Sequence, residues 1–197
     1  KQRYRTKQAR FWASSYEDKR PELTNAQRKM LSHYDNATLY NDSIVAQIVK
    51  RFQKQDAIVI YVPDHGEECY EENRGFICRN HSAEIDWPLA HYEFEIPFWI
   101  YCSPKYIRNH RDIYRQIRKA KDKRFMTDAL PHLLLYLAGI ETPTYQEEYN
   151  ILSPKYDEMR PRILKNSADY DKLRDAHLEK VKKEESKKVK KKKGDKK

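Results

Sequence analysis

The residues best equipped for chemistry stand where a short apolar run ends, in Val62-Pro63-Asp64-His65-Gly66-Glu67-Glu68. Aspartate oxygen and histidine nitrogen are both zinc ligands, and here they are adjacent. Gly66 removes a side chain directly after them and permits a sharp turn. The acids Glu67, Glu68, Glu71 and Glu72 add negative potential that favours a cation. An Asp-His pair also occurs in ordinary turns with a hydrogen-bonded histidine, so its position has to decide. His81 is a third candidate, as a metal ligand or a phosphate contact, and His91 a fourth. For His91 a half-exposed place at the start of a strand is an equally good reading. Glu67 is a further oxygen donor. His33, His110, His132 and His177 fall on expected helices with no acidic neighbour in register, and read as structural or solvated.

The elements that must hold these groups follow from periodicity. Ala57–Val62 is continuous, apolar and rich in β-branched residues. Such a run predicts a strand buried on both faces, hence a parallel or central strand of an α/β sheet. In open α/β sheets ligands sit at the carboxyl ends of strands, which is where Asp64 and His65 fall. Upstream, Thr24 or Asn25 caps a long helix ending near Lys54. Its stripe is Met30, Tyr34, Ala37, Ile44, Ile48 and Phe52. Residues 64–89 read as a long polar loop, a length that points to function or disorder rather than an idle connection. Phe94–Tyr101 is a second strand, with Pro97 at its start or at an edge. Ser103-Pro104 opens a basic helix to about Ala120. Thr127-Asp128 opens a core helix that Gly139 stops. Glu141–Ile163 is turn material, and residues 166–179 read as a helix. The order is α/β.

Composition narrows the function classes. The chain has 197 residues and a formal charge of +10, which suggests a polyanion binder. Position changes that reading. Residues 180–197 hold eleven Lys and three acids, +8, while the other 179 residues hold 29 basic and 27 acidic groups, +2. The body is near neutral, and the Lys-rich run reads as an unstructured tail. Four scattered glycines exclude a Gly-rich phosphate loop. No apolar run approaches the roughly 18 residues that a spanning helix needs. The first residues, Lys1-Gln2-Arg3-Tyr4, read as the middle of a longer chain. Cys69, Cys78 and Cys102 contain no CxxC pair; Cys69 and Cys78 could join in an oxidising compartment, or all three could stay thiols.

Five ordered segments resemble one known family. They are Tyr34-Asp35-Asn36-Ala37-Thr38-Leu39-Tyr40-Asn41-Asp42; Ile58–Val62 with Asp64-His65-Gly66-Glu67-Glu68; Glu95-Ile96-Pro97-Phe98-Trp99-Ile100; Thr127–Leu133 through Leu137–Ile140; and Ser153-Pro154-Lys155-Tyr156 with Arg160 and Arg162. Together they are similar to the carboxyl-terminal part of the phosphoethanolamine transferase catalytic domain, in the sulfatase branch of the alkaline phosphatase superfamily. The resemblance covers about residues 24–165, with residues 1–23 continuing a domain begun upstream. It implies an α/β, sulfatase-like sheet flanked by helices, present as its carboxyl-terminal portion.

The resemblance also implies a site and a reaction. Asp64 and His65 match zinc ligands. His81 matches a histidine facing the substrate phosphate or a second zinc. The implied reaction moves phosphoethanolamine from phosphatidylethanolamine to a lipopolysaccharide acceptor, lipid A or a core sugar, through a phospho-Thr intermediate. The nucleophile would lie before Lys1, so this chain alone would not turn over. Pro63 departs from the family, which more often has a small polar residue there. The implied setting is the bacterial inner membrane with the domain facing the periplasm, as a monomer and with no nucleic acid. A sulfatase or phosphodiesterase of the same superfamily is one rival, against which the Tyr34-Asp35-Asn36 helix argues. A non-enzymatic polyanion binder using the Lys-rich tail is the other. Tyr61, Trp87, Tyr92 and Trp99 could line a groove, with core packing the default.

Overall fold

The structure is a computed structural model that describes residues 9–75, 77–79 and 84–194. Its elements are α1 (Asn25–Phe52), β1 (Ile58–Tyr61), β2 (Glu68–Cys69), β3 (Ile77–Cys78), α2 (Trp87–Phe94), β4 (Trp99–Cys102), α3 (Pro104–Asn109), α4 (Arg111–Ala120), α5 (Leu130–Ala138), β5 (Ile163–Leu164), β6 (Ala168–Asp169) and α6 (Tyr170–Gly194). They fall into two compact units, one of Lys1–Arg79 with Ile96–Arg111, the other of Asn80–Glu95 with Asp112–Lys197.

In the first unit, Thr24 caps α1 by accepting from the Gln27 N–H, and the Gln27 side chain accepts in return from the Thr24 N–H. This reciprocal pair satisfies two orphan donors of the first turn. Apart from Tyr34, the apolar stripe of α1 is not the side that packs. Leu31, Ser32 and Asn36 are buried, whereas Met30, Ile44, Ile48 and Phe52 are exposed. The reason is the chain before the helix. Tyr16 and Leu23 lie with Leu31, Cys69 and Tyr70 in one core cluster, which Phe11 and Tyr34 pack against.

β1 is a strand as expected, but its pairing corrects the parallel reading. It runs antiparallel to β4, with Ile58 opposite Cys102 and Tyr61 opposite Trp99. Its four residues are half-buried, because the apolar run has one partner strand among the described residues. β4 begins at Trp99 rather than Phe94. Pro97 has no N–H for a ladder, and Trp87–Phe94 is a helix that Asp86 caps by accepting from the Leu89 N–H. Ser103 ties β4 to the chain before β1. Its hydroxyl donates to the Gln55 carbonyl at 2.6 Å and accepts from the Tyr106 N–H at 3.0 Å. The basic helix after it is two helices, since His110 leaves helical geometry at φ −125° and ψ 52°.

The expected long loop holds an antiparallel hairpin, β2 with β3. Charged residues disguised it. Glu68 is buried, and its carboxylate meets the Arg74 guanidinium at 2.6 Å.

In the second unit, Ala90 of α2 packs with Leu164 and Tyr170, flanked by Trp87, Phe94 and Leu173. α5 follows a 3-10 turn at Thr127–Ala129 and ends on Gly139, whose φ of +65° is a conformation glycine adopts at little cost. Its Leu133 is fully buried. Arg124, Arg162 and Arg174 converge on Asp171 at the start of α6. Arg160 makes a two-point contact with Asp128 at 2.6 and 2.7 Å. α6 continues to Gly194, through the stretch expected to be unstructured. Lys and Glu are good helix formers, and Glu179 pairs Lys183 one turn on at 3.7 Å.

Candidate metal centre

The chain leaves β1 at Tyr61 and turns within a few residues. Val62 and Pro63 are half-buried, and Asp64 projects outward with a side chain 89% exposed. The Asp64 carboxylate accepts from the His65 backbone N–H at 3.1 Å. The His65 ring is mostly buried, and its Nδ1 lies 2.8 Å from the Gly66 carbonyl oxygen. A carbonyl can only accept, so Nδ1 donates in this contact and Nε2 is the ring nitrogen left to face a ligand. That Nε2 stands 3.6 Å from Asp64 Oδ2. Two ligands about 2 Å from a tetrahedral ion sit roughly 3.3 Å apart, so this spacing fits one ion between them. The pattern of a ligating histidine with its other nitrogen held by a backbone carbonyl is the usual one at metal sites.

The structure brings Asp64 and His65 together. Among the described residues no three His, Cys, Asp or Glu side chains are grouped to hold a metal. Glu67 is half-buried, and its charge acts on the Tyr34 hydroxyl and the Cys69 thiol. His91 lies in the second unit, inside α2 rather than at a strand end. Its Nδ1 is 2.9 Å from Glu95 Oε1 and its ring stacks on Trp87, which also stacks on His177. That is a packed aromatic column. His81 lies outside the described residues.

Sequence reasoning did not foresee the groups that support the turn. Tyr34 of α1 packs against the core cluster that holds Cys69 and Tyr70. Burial, with Glu71 and Glu67 adding to it, pushes the Cys69 thiol up to about 12. Cys69 and Cys78 are free thiols. The register explains why: Cys69 faces Ile77, and Cys78 faces Glu68. Residues adjacent in register point to opposite faces of a hairpin, so the two thiols point apart; Cys69 is buried and Cys78 exposed. Tyr61 and Trp99, opposite each other at the same end of the sheet as Asp64, stack at 5.2 Å. Of the histidines read as structural, His110 does have an acidic partner, Asp56 at 3.3 Å. That contact spans the chain and leaves no local spacing signal.

This fold and turn define a class. Residues 2–140 match the Sulfatase family model, and the chain belongs to the sulfatase family. Its relatives narrow the class. It is 30% identical over 161 residues to the phosphoethanolamine transferase EptC of Escherichia coli strain K1 RS218, covering 80% of this chain and 26% of that protein. It is 31% identical over 99 residues to the Kdo(2)-lipid A phosphoethanolamine 7''-transferase of Escherichia coli K12, covering 49% of this chain and 16% of that protein. The C-terminal periplasmic domain of Escherichia coli EptC, solved in complex with Zn, superposes with a TM-score of 0.67 at 27% identity, over 87% of this chain and 48% of that one. The chain thus spans about a quarter of the length of the curated EptC relatives it matches.

Proposed function

We propose that this chain is part of a zinc-dependent phosphoethanolamine transferase. The enzyme would take phosphoethanolamine from phosphatidylethanolamine and place it on a lipopolysaccharide acceptor, lipid A or a core sugar, at the periplasmic face of the inner membrane. One observation carries the reading. At the carboxyl end of β1, in a sulfatase-family segment, Asp64 Oδ2 and His65 Nε2 stand 3.6 Å apart. Asp64 and His65 would hold the zinc, which when bound offsets charge on a phosphoryl group and lowers the pKa of a hydroxyl beside it.

The rest is the work of the chain itself. The Gly66 carbonyl fixes the His65 tautomer and ring orientation. The Glu68–Arg74 pair and the packing of Tyr34 against the cluster of Cys69 and Tyr70 hold the hairpin behind the turn. His81 is proposed to contact the phosphate oxygens or to protonate the leaving group. Two donors fall short of the four of a closed zinc site, so further ligands must join Asp64 and His65, and this chain alone would hold zinc weakly.

The names of the matched relatives support transfer rather than hydrolysis. The test is Asp64→Ala and His65→Ala in the full-length protein that carries this chain. Zinc content by elemental analysis and transferase activity should fall together. Affinity should drop by more than about 100-fold, since altering even the hydrogen-bond partners of a ligand costs about 10–100-fold. Unchanged zinc in both variants would sink the assignment.

A further inference from the structure

The Lys-rich end of α6 has no part in the proposed transfer. It is also the most charged feature of the molecule. Residues 180–197 hold eleven Lys against three acids, whereas the rest of the chain is near neutral. α6 continues through this stretch to Gly194, and Lys180, Lys182, Lys183 and Lys187 are exposed. At 100° per residue these lysines are distributed around the helix. There is therefore no apolar face to insert, and any attraction they exert is electrostatic.

We infer that the lysine end of α6 is a cationic arm that docks this chain on an anionic phospholipid surface. Two observations favour lipid over nucleic acid. The stretch has no Arg, so it lacks the planar fork that reads phosphate and base edges two bonds at a time. It also has no Phe, Tyr or Trp on which a base could stack. What remains is a dense set of point charges, which suits a continuous negative surface. The helix gains from the same contact. Lys183, Lys187 and Lys191 follow one another at four-residue spacing, as do Lys188 and Lys192. Like charges at that spacing destabilise a helix, and anionic headgroups neutralise them. The inference is independent of the transfer reaction.

The test is sedimentation of the full chain with vesicles, with helicity followed by circular dichroism. Vesicles of 30% phosphatidylglycerol in phosphatidylcholine should bind it at 0.1 M NaCl. Affinity should fall about fivefold for each lysine changed to Gln among Lys187, Lys188, Lys190 and Lys191. It should fall by at least about 100-fold on removal of residues 180–197, and binding should vanish at 0.5 M NaCl. Helicity should rise on binding. Equal binding to pure phosphatidylcholine would overturn the inference, as would binding that survives removal of residues 180–197. So would tighter binding to duplex DNA at equal phosphate concentration.

Discussion

Asn36 offers a quantitative test of how the first unit is held together. It lies on α1 and is 3% exposed. Its Oδ1 accepts from the backbone N–H of Arg10 at 2.7 Å and of Phe11 at 3.1 Å. Its Nδ2 donates to the carbonyls of Phe11 at 2.8 Å and Ser32 at 2.7 Å. The side chain thus acts as a one-residue strand edge, taking both polar groups of Phe11. In Asn36→Ala the Ser32 carbonyl keeps its helical partner, but three backbone groups of Arg10 and Phe11 lose theirs. A net hydrogen bond is worth about 1 kcal/mol, and an unsatisfied buried group costs about 1–3 kcal/mol. Arg10 is exposed and can recruit water, so the lower figure applies, giving a loss of about 3 kcal/mol. That is a large share of a typical domain stability of about 5–15 kcal/mol. Urea unfolding would read the loss, and amide exchange at Phe11 would locate it. The Phe11 amide should exchange slowly in the wild type and quickly in the variant. Stability reduced by less than about 1 kcal/mol, with Phe11 still protected, would refute the reasoning.

Two other expectations test separate parts of the structure. With Cys69 buried and its thiol pushed up to about 12, and burial also raising Cys102, a thiol reagent at pH 8 should label one cysteine rapidly, Cys78, and all three after denaturation; Cys78→Ser should abolish the rapid phase, and two rapid thiols would contradict the burial. The Arg162 hydrogen bond holds the Asp171 carboxyl below its usual range, and Arg160 does the same for Asp128. A depressed folded-state pKa stabilises above the unfolded value of about 3.9 and loses that stabilisation as pH falls through the folded value. Unfolding free energy should therefore be flat from neutral pH to about pH 5 and decline below about pH 4, with a shallower decline in Asp171→Asn; parallel acid limbs would exclude the carboxylate as the cause.

What was legible in the sequence was local. The Thr24 cap with Gln27, the Ser103 cap before Pro104, the Gly139 stop and the turn after β1 each depend on residues a few positions apart. What was not legible depends on partners far along the chain. Glu68 and Glu71 read as loop because charge normally means solvent, yet Glu68 is buried against Arg74 and the Glu71 side chain accepts from the Cys69 N–H. The helix Trp87–Phe94 falls partly in the expected loop, to Leu89, and partly in the expected strand, at Phe94, because Pro88 and the acids around it hide the period, although Pro suits the first turn of a helix. The apolar stripe of α1 was legible as a helix but not as to which side packs, because that depends on where Tyr16 and Leu23 fold back.

The Tyr34-Asp35-Asn36 run is the clearest case of a motif whose meaning changes once its contacts are known. By resemblance it argued for transfer over hydrolysis. In the structure each residue has a structural partner. Tyr34 packs against the core cluster that holds Cys69, Asp35 accepts from the Tyr16 hydroxyl, and Asn36 takes the backbone of Arg10 and Phe11. None of the three supplies a free ligand or a proton at the turn after β1. The run therefore supports the site through the core that carries Cys69 and Tyr70. A variant at Tyr34 should then act on zinc affinity only as far as it loosens the hairpin, whereas Asp64→Ala should lower zinc affinity with the fold intact. If Asp64→Ala unfolded the chain while Tyr34→Phe removed zinc from a folded one, the roles assigned to the two ends of this arrangement would be reversed.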